Sequence, residues 1–165
     1  MGEDKGLMTL YDKPMIAYVL EEFEKLTANI LIISNNDNYQ RFGFPVFKDK
    51  HKEKGPLAGM LRGLEQSTTE KNIILSCDVP YLKVEVINYL LERSEERDAT
   101  VAQHQERIHP LIGIYQKRCT PVFENQLKKG ALKITDSFNN LDVLYVNMDR
   151  FDQRMFKNIN SKRDL

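Results

Sequence analysis

Apolar positions along the chain fall into two alternating rhythms. Met15, Ile16, Val19, Leu20, Phe23 and Leu26 recur at helical spacing, with Pro14 at the favoured first-turn position. Residues 30–33 form a continuous apolar run, too short for a helix and rich in β-branched side chains, which predicts a buried strand. A weaker strand is expected at 45–47. Pro56 opens a second helix with Leu57, Met60, Leu61 and Leu64 on one face, and 73–77 reads as another continuous apolar strand. A helix over 84–91 places Ile87, Leu90 and Leu91 inward. The rhythm then changes: 99–103 and 111–115, joined by a polar segment, predict a hairpin-type pair. Helical segments at 121–128 and 131–139 and a strand at 143–147 precede a polar tail. In this pattern no strand stands ahead of the first helix.

Alternation of strands and helices over short connections predicts an α/β fold, a three-layer α/β/α sandwich with a mainly parallel sheet. In such sheets ligands sit beyond the carboxyl ends of the strands, so functional residues are expected just after the apolar runs. No repeat, low-complexity stretch or Pro/Gly/Ser linker divides the chain, and 1–165 is taken as one domain.

Composition narrows the function classes. The 24 Lys+Arg balance 24 Asp+Glu, which leaves no basic field for nucleic acid and no polybasic signal for a membrane surface. Cys77 and Cys119 are too few and too far apart for a disulfide framework or a C-x-x-C zinc site, so a reducing, cytoplasmic setting is expected. No apolar run approaches the roughly 20 residues of a membrane helix, and the charged N-terminus lacks the apolar stretch of a signal peptide.

The strongest chemical signal is Ile73-Ile-Leu-Ser-Cys-Asp78-Val-Pro80, where a carboxylate leaves a buried strand at the ligand edge and Pro80 turns the chain away. One carboxylate there suits Mg²⁺, which fills its remaining positions with water and phosphate oxygens. A turn or N-cap aspartate before the helix at Val84 is the structural alternative. Lys54-Gly-Pro-Leu-Ala-Gly59, with Gly63 further on, allows close approach of a ligand to a helix N-terminus, or is a plain loop-to-helix junction. Lys5 stands among glycines and can reach a phosphate, or be a solvated terminal charge. The basic run 48–54 has the same two readings. His109-Pro110 is either a ligand or, preferably, a strand-entry residue. Cys77 is expected inside the strand and inert. The histidines His51, His104 and His109 lack metal-ligand spacing, and no nucleophile set, P-loop or dinucleotide fingerprint is present.

In order, Met1-Gly-Glu-Asp-Lys5-Gly-Leu, Lys13-Pro14, Gly55-Pro-Leu-Ala-Gly59 with Gly63-Leu64, Cys77-Asp78-Val-Pro80, His109-Pro-Leu-Ile-Gly113-Ile-Tyr, and Asn158-Ile-Asn160 with Asp164-Leu165 resemble the molybdenum cofactor guanylyltransferases, MobA-like nucleotidyltransferases. The resemblance spans essentially the whole chain, and G-P-L-A-G is its most specific part, favouring guanine-using members. It implies a nucleotide-diphospho-sugar-transferase-like fold and transfer of GMP from GTP to molybdopterin-bound molybdenum, with release of pyrophosphate. It implies Asp78 as the Mg²⁺ ligand and Lys5 on the nucleotide phosphates. Gly55, Pro56, Leu57, Ala58 and Gly59 would line the guanosine site, with Asp49 as the aspartate that precedes that segment. Asn35 or Asn36 would make a nucleotide contact, and Asn160, or Asn158 in its place, would sit near metal and acceptor phosphate. Proteins that deliver the cofactor or mature molybdoenzymes are the implied partners. A phosphate acceptor is already a nucleophile at neutral pH, which fits the lack of a Ser/His/Asp apparatus.

Relative to the family pattern, an apolar strand and a Gly-rich loop of form L-A-G-G-x-x-x-R are missing ahead of M-G-x-D-K. The expectation is an N-terminally incomplete domain whose two inner strands face a gap. It would be either a chain started from an internal methionine or an inactive relative, and strongly impaired in this form. A related nucleotidyltransferase using another nucleotide or acceptor, and a non-catalytic binding protein, are the competing functions.

Overall fold

The computed structural model describes residues 4–50 and 55–160. Asp4 caps a short 3₁₀ turn at Lys5–Leu7, accepting from Gly6 N–H. The chain then makes an antiparallel hairpin, β1 (Thr9–Leu10) and β2 (Lys13–Pro14). This corrects the expectation of no strand before the first helix. Strands of two residues leave no period in the sequence, and the turn between them holds Tyr11 at φ 55°, a conformation an L-residue rarely adopts. Helix α1 (Met15–Glu24) follows.

Next come strand β3 (Ile32–Ile33), parallel to β4 (Val46–Phe47), and helix α2 (Gly55–Gln66). The larger sheet holds β5 (Lys71–Leu75), β6 (Ala99–His104), β7 (Arg107–Gln116) and β8 (Val143–Asn147) in the order β5-β7-β6-β8. Strand β7 is antiparallel to both β5 and β6, whereas β6 and β8 are parallel. Thus β5, β6 and β8 share one direction and β7 alone opposes them. Helices α3 (Val84–Arg93), α4 (Thr120–Lys128) and α5 (Ile134–Ser137) complete the fold. The helix expected over 131–139 is only the single turn of α5 and a following 3₁₀ turn at Phe138–Asn140.

Alternation along the strands creates two cores. On one face Leu57, Leu61 and Leu64 of α2 and Phe123 and Leu127 of α4 pack on Val101 and Tyr115. On the other, Val86, Ile87 and Leu90 of α3 pack on Ala102, Ile112, Ile114 and Val146. The expected α/β/α layering is therefore present. Helix α3 has no capping side chain of its own; buried Glu22 of α1 supplies one, accepting from Val84 N–H at 2.8 Å and bonding Lys25 at 2.7 Å. Burial raises this carboxyl's pKa, but the bonds to Lys25 and Val84 and the Lys83 charge outweigh it and hold the pKa below the usual value.

Among the described residues β3 and β5 are not paired with each other. Between them lies an apolar groove of about 470 Å³, walled by α1 and α2.

Candidate active site

Side chains gather just past the ends of β3 and β5, where the chain leaves the sheet. Residues Ser76, Cys77 and Asp78 follow β5; Cys77 lies beyond the strand rather than inside it. Asp78 is nearly buried, at 9% exposure. Its Oδ1 accepts from the Ser76 hydroxyl at 2.5 Å and its Oδ2 from Asn158 Nδ2 at 3.1 Å. Each carboxylate oxygen keeps a further lone pair.

The tail reaches this turn for a reason visible in its sequence. Ile159 is fully buried with Met8, Leu10 and Met15, and its N–H bonds Asp78 O at 2.9 Å. In an extended chain the neighbours of an inward residue point outward on one side. Asn158 accordingly meets Asp78, and Asn160 Oδ1 accepts from Lys5 Nζ at 2.7 Å. Lys5, Asp78, Asn158 and Asn160 thus form one polar cluster, joined from both ends of the described chain.

Lys5 is presented by the 3₁₀ turn that Asp4 anchors. Asp4 Oδ1 also accepts from the Tyr39 hydroxyl at 2.6 Å and Oδ2 from Asn36 Nδ2 at 3.1 Å. Burial and the bond to Asp4 push the Tyr39 phenol far above its ordinary pKa. Gly6 permits the close approach, since a Cβ there would overlap the Tyr39 hydroxyl and lie 3.0 Å from Cys77 Sγ. Burial and the carboxylates of Asp78 and Asp4 push the Cys77 thiol up to about 11, so it is held as an unreactive thiol.

The remaining sequence candidates are more dispersed. Asn36, not Asn35, joins the network; Asn35 is exposed past β3. Asp49 is half-buried past β4. Gly55, at φ 69°, and Pro56 are exposed at the start of α2, whereas Leu57 and Ala58 are fully buried core residues that can offer a ligand only backbone. Gly59 borders the apolar groove. His51 and Lys54 lie outside the described residues. His109 is buried beside Phe156, ring centroids 5.4 Å apart, and burial together with Arg107 and His104 lowers it to about 4. It stands third in β7 and borders the polar cavity beside Asn158. Sequence reasoning missed Asp4, Tyr39 and Ser76; an acid next to a glycine-flanked lysine was the one local sign of Asp4.

Beside Asn158 and Asn160 opens a polar cavity of about 700 Å³, bordered by Arg107, Arg154 and Lys157. The cluster therefore stands where one anionic ligand could meet another across a single carboxylate. Among the described residues no group of three or more His, Cys, Asp or Glu could hold a metal by itself, and no helix is long and apolar enough to cross a membrane.

The chain matches the model of the MobA-like NTP transferase domain over residues 1–141. It is 31% identical over 169 residues to a protein of Carboxydothermus hydrogenoformans described as a probable molybdenum cofactor guanylyltransferase, covering 99% of this chain and 86% of that one. A molybdenum cofactor guanylyltransferase of Vibrio vulnificus is 32% identical over 168 residues, covering 99% and 85%. Among solved structures, molybdopterin-guanine dinucleotide biosynthesis protein A of Archaeoglobus fulgidus superposes with TM-score 0.83 at 24% identity over 99% of this chain and 87% of that one. The 2-C-methyl-D-erythritol 4-phosphate cytidylyltransferase of Thermus thermophilus shares the fold, with TM-score 0.72 at 14% identity over 97% of this chain and 89% of that one.

Proposed function

The chain belongs to the MobA-like NTP transferase domain family and is a nucleotidyltransferase; from that premise we propose that it transfers GMP from GTP to the terminal phosphate of molybdopterin-bound molybdenum. The observation that carries this reading is likeness over 99% of this chain to proteins described as molybdenum cofactor guanylyltransferases, joined to a one-carboxylate cluster at the sheet edge. An oxygen of the acceptor phosphate attacks the α-phosphorus, the bond from that phosphorus to the α–β bridging oxygen breaks, and pyrophosphate leaves. No side-chain nucleophile is required.

Asp78 fits a Mg²⁺ ligand, since both oxygens are oriented by donors and retain lone pairs. Bound there, Mg²⁺ would supply charge neutralisation and in-line orientation of the phosphates. Ser76 and Asn158 hold the carboxylate in place. Lys5, steered by Asn160, offers a cation to the nucleotide phosphates. The start of α2 at Gly55–Gly59 offers backbone to the guanosine side, with Asp49 and Asn35 as flanking polar contacts, and the polar cavity beside Asn158 receives the acceptor.

The test compares GTP, CTP and UTP by thermal shift with Mg²⁺, and then pyrophosphate release with molybdopterin acceptor. GTP alone should raise the melting temperature appreciably. A preference for CTP or UTP would replace the guanylyl assignment with another nucleotidyl transfer.

A further inference from the structure

The hairpin of β6 and β7 does not run straight to its tip. Its register shifts between Val101 and Ala102, so that these neighbours in β6 stand opposite Gly113 and His109. A bulge of this kind bends the strands and re-aims the side chains beyond it. Residues 102–109 thereby reach the tail of the chain, where the rings of His104 and His109 pack on Phe156 at 4.7 and 5.4 Å. The tip itself is the two-residue turn Gln105-Glu106, at φ 47° and 63°. That is the backbone region of a type I′ turn, which favours Asn and Gly, and neither is present. Asp149 Oδ1 holds the turn in place, accepting from Gln105 N–H at 2.7 Å. Arg107 is the first residue past the turn and stands opposite His104. Non-glycine residues persist in this region only where their surroundings determine them, and such places gather at ligand sites.

This hairpin end borders one side of the polar cavity beside Asn158, and residues of the 152–160 tail border the other. The charges around the cavity do not cancel. Among the described residues Asp152 is the one carboxylate on its border, and Arg154 Nη2 already pairs with it at 2.6 Å. His109 is neutral near pH 7, since burial, Arg107 and His104 lower its pKa to about 4. Arg107 is exposed, and among the described residues its guanidinium has no ion pair and no hydrogen-bonded partner. It therefore gives the hairpin side of the cavity an unanswered positive charge, in the planar fork that suits an oxyanion. On the tail side, Asn158 holds Asp78 and Asn160 holds Lys5, so that side opens onto the reacting phosphates.

We propose that Arg107 is a specificity-determining contact of this transferase, binding a second anionic group of the acceptor at the hairpin side of the cavity. The inference rests on the reading that this cavity receives the acceptor, and it names the acceptor's class. That class is a phosphate monoester carrying another negative charge away from the phosphate that reacts. One end is read by the Asp78 and Lys5 cluster, the other by Arg107, and the neutral amides and imidazoles between them make no charge demand. In the acceptor proposed above, the molybdenum centre with its thiolate and oxide ligands is the second group. A monoester without one would enter the same cavity and leave Arg107 unanswered, which is how the site separates the two.

The probes are the bisphosphates of butanediol, hexanediol and octanediol, titrated by calorimetry against the full chain with Mg²⁺. Hexyl phosphate is the control with one anionic end. At least one bisphosphate is expected to bind at least tenfold tighter than hexyl phosphate. Arg107→Gln should remove that advantage and leave the affinity for hexyl phosphate unchanged, and Arg107→Lys, which keeps the charge, should restore most of it. Since Arg107 is exposed, both variants should match the native chain in circular dichroism and melting temperature. With molybdopterin acceptor, Arg107→Gln should raise the acceptor KM at least tenfold and leave the KM for GTP unchanged. Equal or absent binding of the two probe types would overturn the proposal, as would an advantage that survives in Arg107→Gln. The titration needs neither GTP nor molybdopterin. An Arg107-dependent advantage in a chain that transfers nothing to molybdopterin would therefore overturn the guanylyl assignment and support this contact.

Discussion

Replacing Asp78 by Asn separates the chemistry of this site from its architecture. In the native turn Asp78 accepts from the Ser76 hydroxyl at 2.5 Å and from Asn158 Nδ2 at 3.1 Å. An asparagine can keep both bonds, its oxygen accepting from Asn158 and its amide donating to Ser76 Oγ, because a hydroxyl can change from donor to acceptor. The fold should then lose no more than about 1 kcal/mol, roughly 2–4 °C in melting temperature for a chain of this size. The negative charge, and with it the metal ligand, is gone. If GTP binds through Mg²⁺ on Asp78, ligand at about 100 times its Kd stabilises the native chain by about 2.7 kcal/mol, or roughly 5–11 °C, and the variant by almost nothing. Pyrophosphate release in the presence of acceptor should fall about 10²–10³-fold or more, the scale of losing one preorganised electrostatic group. The paired assay is a thermal shift with and without GTP and Mg²⁺, followed by turnover. Mg²⁺-dependent stabilisation that survives in Asp78→Asn would return Asp78 to the status of a turn residue. A drop of ten degrees without ligand would show that the carboxylate holds the turn itself.

Three further outcomes follow from the packing. Glu22→Gln should cost about 1–3 kcal/mol at neutral pH, since a charge-assisted cap on α3 becomes a neutral one. Because the folded carboxyl titrates below its ordinary value of 4.5, that difference is present above this pH and is lost as pH falls through the folded value, which urea melts from pH 7 to 3 will show. His109 acts in the same direction over a higher pH window: neutral in the fold with a pKa of about 4 against 6.5 when free, it makes the unfolded chain bind more protons between those values. Stability should decline by up to about 3 kcal/mol as pH falls across that window, and His109→Phe should flatten the decline in the same melts. Gly113→Ala sets a Cβ 3.0 Å from the Tyr115 ring and 3.1 Å from the Thr100 carbonyl, and calorimetry should register a loss of about 1–3 kcal/mol.

The sequence makes long periodic elements and the residues that follow them readable. Strand β8 occupies the expected 143–147, and α2 begins one residue from the expected Pro56. Asp78 stood out because a carboxylate directly after a buried run, with Pro80 behind it, sits at the ligand edge of the sheet, where a metal ligand and a turn residue are both open readings. What it bonds did not stand out, because Asn158 is 80 residues away and its approach depends on Ile159 finding a slot beside Met8 and Leu10. Strand β3 was expected over 30–33 but pairs only at Ile32–Ile33, since an apolar run is a strand only where a neighbour supplies partners. The hairpin at Thr9–Pro14 and the role of Asn36 rather than Asn35 turn on single backbone angles and one side-chain contact, which no period encodes.

The bond from Lys5 to Asn160 spans 155 residues of chain. During synthesis at about 5–20 residues per second, the lysine is joined to the chain roughly 8–31 s before its partner. A nascent polypeptide can lay down the α2 and α4 core on Val101 and Tyr115 in that interval while the contact of Lys5 with Asn160 stays open. The polar cluster is therefore the last part of the described chain to close, because it waits for Asn158 and Asn160 to reach Asp78 and Lys5.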